Sequence, residues 1–122
     1  MNPRKKRKIE ELLRRELSTI VLYELKDQRP GFITLTGVDL SEDQRSAKVR
    51  LTVRGSPEEV KATMQALQRA RGYVQALIGK RLKLRYTPVL EFMEDVEVLQ
   101  AMRLEKLIDE ARREDREFRE TL

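Results

Sequence analysis

The sequence predicts a single α+β domain in which helices pack on a small sheet, in the order helix, strand, strand, helix, helix, strand, followed by a C-terminal helix. Three observations predict it. Apolar residues recur at three- and four-residue steps in some stretches and alternate with period two in others. The four prolines, Pro3, Pro30, Pro57 and Pro88, fall where one period gives way to another, as expected of a residue that cannot continue a helix or donate to an interior strand. A chain of 122 residues supplies one modest core rather than two.

After Pro3, Ile9, Leu12, Leu13, Leu17, Ile20, Val21 and Leu25 form one face of an amphipathic helix running from about Arg4 to Leu25. "KDQRPG" ends it. In "FITLTGVDLS" the apolar phase slips: Ile33 and Leu35 lie on one alternating face, Val38 and Leu40 on the other. A β-bulge at Gly37 would return both pairs to the core. In "AKVRLTV" the alternation is clean, with Ala47, Val49, Leu51 and Val53 pointing one way. The two strands read as an antiparallel pair joined through "SEDQRS". Phe32 and Phe92, both in strand patterns, are assigned to the core.

"GSPEEV" opens the next helix: Ser56 can cap, Pro57 takes the first helical position and Glu59 completes a capping box. Its apolar face runs through Val60, Met64 and Leu67, then Val74, Leu77, Ile78 and Leu82, with Gly72 inside the pattern. Such a length is long for one unbroken helix in a small domain, so two helices meeting at "RARGY" are expected. On that reading Gly72→Val should damage the fold. "PVLEFM" is the third strand. From Asp95 the chain is helical in propensity, with Val98, Leu99, Met102, Leu104, Leu107, Ile108 and Ala111 as an apolar side, and a highly charged tail beyond Ala111 expected to fray. The expected division is a domain over 1–94, including a basic N-terminal arm, and a helix and tail over 95–122.

Composition narrows the chemistry. With no Cys and no His, disulfides, thiol nucleophiles and imidazole bases are excluded, along with the two commonest transition-metal ligands. The carboxylates show no metal-binding spacing, and "IGKRLKL" has Gly-Lys without the rest of a phosphate-cradling loop. The chain is therefore read as a non-enzyme with no metal, no cofactor and no small-molecule substrate. Glu10, Glu11, Arg14, Arg15 and Glu16 interrupt any signal-peptide core, and no stretch is long and apolar enough for a membrane span. A cytoplasmic location with no membrane partner is expected.

The net charge is +5, and no acidic residue occurs between Glu59 and Glu91. That interval holds Lys61, Arg69, Arg71, Lys80, Arg81, Lys83 and Arg85. Cations without local counter-charge offer a positive field to phosphates; solubility and helix-dipole capping by Lys80 and Arg81 are the plainer alternative. Arg4, Lys5, Lys6, Arg7 and Lys8 form a second cluster, read as a phosphate-binding arm. Aromatic residues make up only 5%, which argues against a broad base-stacking face. Tyr73 and Tyr86 are read as bracing their own elements against the core, with base stacking as the alternative.

The stretches "LYELKDQRPGFITLTGVDLS", "AKVRLTV", "ALQRARGYVQALIGKRLKLRYTPVLEFMED" and "RLEKLIDE", in this order and spacing, resemble the ribosome-binding factor A family from about Ile9 to Ile108. The resemblance implies a type II KH-like fold. Ordinary KH domains grip single strands with a G-x-x-G loop, which Gly79 cannot supply because Leu82 stands at the second glycine. The family instead has an Ala-x-Gly kink, matched by Ala70, Arg71 and Gly72, and Arg71 there can point at a phosphate. Where members commonly have Asp-Pro-Arg, this chain has Asp27, Gln28, Arg29 and Pro30, which keeps Arg29 available. The resemblance implies a partner, the immature 30S subunit with its 16S rRNA, and a role in late maturation and 5′-end processing, particularly in the cold. A monomer is expected when free. A general single-strand RNA binder and a protein-interaction module remain as alternatives.

Overall fold

The computed structural model describes residues 1–25 and 30–122. The turn expected over 26–29, and with it the candidate Arg29, lies outside the described residues. Helix α1 spans Pro3–Thr19; the Asn2 side chain caps it by accepting the Arg4 N–H at 2.8 Å. A π-helical turn, Ile20–Glu24, continues it and ends where Leu25 N–H reaches the Ile20 carbonyl at 3.0 Å. This segment buries Ile9, Leu13, Leu17, Ile20, Val21 and Leu25, while Leu12 stays exposed.

Strand β1 (Phe32–Leu40) pairs antiparallel with β2 (Ser46–Arg54), which pairs parallel with β3 (Val89–Glu94), so β2 is central. The register shifts between Leu35 and Gly37. Thr36 is the extra residue, and Ile33, Leu35, Val38 and Leu40 are all buried. The expected bulge is therefore present, for the expected reason: a period-two strand can only keep both pairs inside by gaining one residue. The same alternation overturns the assignment of Phe32, which is 77% exposed because Ile33 beside it faces inward. Phe92 is buried as expected.

Helix α2 spans Pro57–Arg81 without a break. Its capping box is complete: Ser56 Oγ accepts the Glu59 N–H at 3.2 Å and Glu59 Oε1 accepts the Ser56 N–H at 3.0 Å. The expected junction at Arg69–Tyr73 is corrected to the interior of one helix. It buries Leu67 and Val74 on the core side and keeps Ala70 packed against them, so burial continues through the glycine. Gly72 is exposed, and a Cβ there would meet nothing within 4 Å. Without a steric or backbone need for glycine, Gly72→Val is not expected to break the fold. Gly72→Ala is expected to stabilise the protein by about 1 kcal/mol, the usual helix-interior difference, raising the melting temperature in a thermal scan.

Helix α3 (Val96–Glu120) starts at Asp95 and buries none of its residues; Met102, Leu104, Leu107 and Ile108 are exposed. It stays helical past Ala111, and Asp115 pairs with Arg119 at 3.3 Å one turn on. No described helix is long and apolar enough to cross a membrane.

Candidate nucleic-acid interface

The acid-free interval of the sequence does not stay acid-free in space. Arg81, in the last turn of α2, reaches Glu24 at 2.5 Å and Glu16 at 3.5 Å, so α1 and its π-helical extension supply its counter-charge. The hydrogen bond to Glu24 leads the causes that raise its pKa. Arg81 is thereby corrected from a free cation to a clasp between α2 and the first helical segment. Lys6 is similarly engaged, with Glu42 of the β1–β2 hairpin at 2.9 Å, and that bond leads the causes raising the Lys6 pKa. The arm is also not loose, because Arg4 through Lys8 are the first turns of α1.

A continuous helix also separates Arg69 from Arg71. Residues two apart lie about 200° apart around an α-helix, so the two guanidiniums cannot share one phosphate as a junction would allow. Ala70 between them packs against the core. Arg69 faces an open groove of about 1050 Å³ between α2 and α3, with Lys61 and Arg103 beside it, Val60 and Met64 as apolar lining and Glu94 as its carboxylate. Arg103 was not among the sequence candidates. Nothing in its local surroundings distinguishes it from the other arginines of α3, and only the course of that helix brings it to α2.

Part of the remaining basic charge lies at the β1–β2 hairpin. Arg4, Lys5, Arg7, Lys8, Lys80, Lys83 and Arg85 are exposed and form no ion pair among the described residues. The arm is tied to the hairpin by Lys6–Glu42 and by the Leu40 N–H, which donates to Glu10 Oε2 at 2.8 Å. On the other side, the Val89 N–H donates to the Arg45 carbonyl at 2.8 Å. Tyr86 has the Arg45 and Arg85 guanidiniums at 5.1 and 5.4 Å from its ring centroid. The N-terminal cluster and Arg85, far apart in sequence, are thus both held at the hairpin. Tyr86 is half-buried, whereas Tyr73 is 55% exposed and does not brace the core as expected.

A second polar cluster lies under the start of α3. Asp95, 4% exposed, accepts from Thr36 Oγ1 at 2.5 Å, from the Val98 N–H at 3.2 Å and from Arg50 Nη1 at 3.1 Å. Arg50 also pairs with Asp39 at 2.7 Å. Gly37 leaves room for this, since a Cβ there would fall on the Arg50 guanidinium. Both Asp95 oxygens are engaged and the cluster opens onto no cation site; among the described residues no group of three or more acidic side chains could hold a metal ion. It is an anchor for α3.

Comparison with known proteins agrees with the fold. Residues 5–108 match the family described as ribosome-binding factor A. A ribosome-binding factor A of Halothermothrix orenii is 41% identical over 120 residues, covering 98% of both chains. That of Azoarcus sp. is 43% identical over 108 residues, 88% of this chain and 86% of the relative. Among solved structures, the crystal structure of ribosome-binding factor A from Thermus thermophilus superposes with a TM-score of 0.64 at 30% identity, covering 73% of this chain and 94% of that one. A homology model of the Thermus thermophilus factor, as fitted into the cryo-electron-microscopy map of its 30S complex, gives a TM-score of 0.60 at 29% identity, over 70% and 90% of the two chains.

Proposed function

The chain belongs to the ribosome-binding factor A family, and on that premise we propose that it is a non-catalytic cytoplasmic assembly factor that binds the immature 30S subunit through phosphates of 16S rRNA. The observation that carries the reading is the set of exposed cations that form no ion pair among the described residues: Arg4, Lys5, Arg7 and Lys8 from the start of α1, which is tied to the hairpin, and Lys80, Lys83 and Arg85 from α2 and its exit, of which Arg85 meets the hairpin at Tyr86. A field of this kind neutralises phosphates and releases counterions, without reading base edges. Residues 1–94 form the rRNA-binding domain, and 95–122 add a helix beside it.

The protein acts on an equilibrium. By binding one conformation of the rRNA more tightly than its competitors, it raises the population of that conformation by its differential affinity. In that way it supports late maturation and 5′-end processing of the 16S rRNA. Cold deepens competing RNA structures, so the need is largest there.

Co-sedimentation with immature and mature small subunits across a salt series tests the reading. Binding that favours immature particles and weakens steeply with salt is expected. Binding that is indifferent to salt would overturn it, and would favour protein contacts through the exposed apolar side of α3, where Met102, Leu104, Leu107 and Ile108 stand free of the domain.

A further inference from the structure

The hairpin side of the basic surface contains an arrangement that no charge run in the sequence announces. Arg45 lies at the end of the β1–β2 hairpin and Arg85 in the loop after α2, forty residues apart, yet both guanidiniums sit on the ring of Tyr86. Both are exposed, and neither forms an ion pair among the described residues. Bringing two like charges to one ring costs Coulomb energy that the ring only partly offsets. An anion held at either guanidinium would reduce that cost.

The carboxylates nearest Arg45 in sequence are already engaged. Glu42 holds Lys6 and the N-terminal amine, at 2.9 and 3.8 Å. Asp43 Oδ1 accepts from Ser41 Oγ at 2.7 Å and from the Arg45 N–H at 3.1 Å, which closes the turn. The backbone under Arg45 is fixed as well: Ser41 and Ser46 pair across the hairpin, Gln44 takes a positive φ of 64° to make the turn, and Val89 donates to the Arg45 carbonyl. The seat therefore has an ordered base and two fork-shaped donors outside any ion pair among the described residues, each able to take a phosphate in bidentate fashion.

We propose that Arg45 and Arg85, oriented by Tyr86, contact backbone phosphates of the bound RNA, so that the β1–β2 hairpin is part of the interface. The inference rests on the proposed RNA-binding function and adds to it two residues, Arg45 as a contact and Tyr86 as a positioning residue. Tyr86 contributes its ring face, so Tyr86→Phe should retain the seat while Tyr86→Leu should lose it.

The test is the slope of log affinity against log salt for binding to immature small subunits, measured for wild type, Arg45→Gln, Tyr86→Leu and Tyr86→Phe. Loss of one phosphate contact reduces the slope by about 0.7 to 0.9. That reduction is expected for Arg45→Gln and Tyr86→Leu, and no change for Tyr86→Phe, with melting temperatures of Arg45→Gln and wild type alike. Arg45 is exposed, so Arg45→Gln decides the matter even if Tyr86→Leu folds poorly. An Arg45→Gln slope equal to that of binding-competent wild type would overturn the seat and leave the proposed function standing. In parallel, arginine side-chain Nε–Hε resonances are followed while a short oligouridylate is added. Joint shifts of Arg45 and Arg85, lost in Tyr86→Leu, are expected. If wild type fails to bind subunits but the joint shifts occur, the proposed function falls and the phosphate seat survives; if neither occurs, both fall.

Discussion

Replacing Lys80, Lys83 and Arg85 together with glutamine is expected to weaken binding to immature small subunits by about a hundredfold at physiological salt. Each phosphate contact contributes a salt slope of about 0.7 to 0.9, which at physiological ionic strength corresponds to about fivefold in affinity. Three contacts multiply to about a hundredfold, and the slope falls by about two to three. The three side chains are exposed and take part in no ion pair among the described residues, so the folded protein gives up almost nothing when they are neutralised. Circular dichroism and the melting temperature should be close to wild type. Arg81→Gln is the internal contrast: it breaks the clasp to Glu24 and Glu16 and so acts on stability while leaving the salt slope nearly unchanged. A folded triple variant that binds like wild type would remove this loop from the interface.

That contrast between Arg81 and its neighbours is where sequence reading reached its limit. Local rules were legible. Ser56, Pro57 and Glu59 specify a helix start within four residues, and the phase slip around Gly37 specifies a bulge, because both effects involve atoms a few residues apart. The element order followed from the same periods. The misreadings concern relations between distant segments or the sum of small terms. Phe32 was assigned to the core on residue type, although Ile33 next to it already claimed the inward face. The break expected near Gly72 underestimated how far core packing on both sides, through Leu67 and Val74, carries a helix across a residue of poor propensity. Arg81 looked unpaired because its partners lie 57 and 65 positions away. Arg45 and Arg103 were invisible for the same reason in reverse: neither belongs to a basic run, and each becomes part of a cluster only when another element folds beside it.

Asp95→Ala is expected to lower the melting temperature by about 8 °C at neutral pH and to shorten α3, seen as lost helical dichroism. The estimate combines loss of an N-cap with loss of a charge partner for Arg50. Because α3 buries none of its residues, tertiary packing does little to set its direction, and Asp95 is what joins it to the sheet: the Asp95 N–H donates to the Leu51 carbonyl at 2.7 Å and the carboxylate binds Thr36, Val98 and Arg50. Those contacts, the Thr36 hydroxyl first, then the Val98 N–H and the Arg50 charge, hold the Asp95 pKa below its ordinary value of 3.8. A carboxyl whose pKa is lower folded than unfolded contributes stability that is fully present above the unfolded value and is lost as pH falls through the folded one. The melting-temperature gap between wild type and Asp95→Ala should therefore be constant from neutral pH down to about pH 5 and close only as the pH drops below the ordinary carboxylate range. Asp95→Asn keeps a capping side chain but no charge, so it should recover part of the helix content and none of the pH dependence. A gap that varies between about pH 5 and pH 7 would assign the effect to another group. Since Arg103 is carried on α3 toward Lys61 and Arg69, loosening this anchor should also spread that groove.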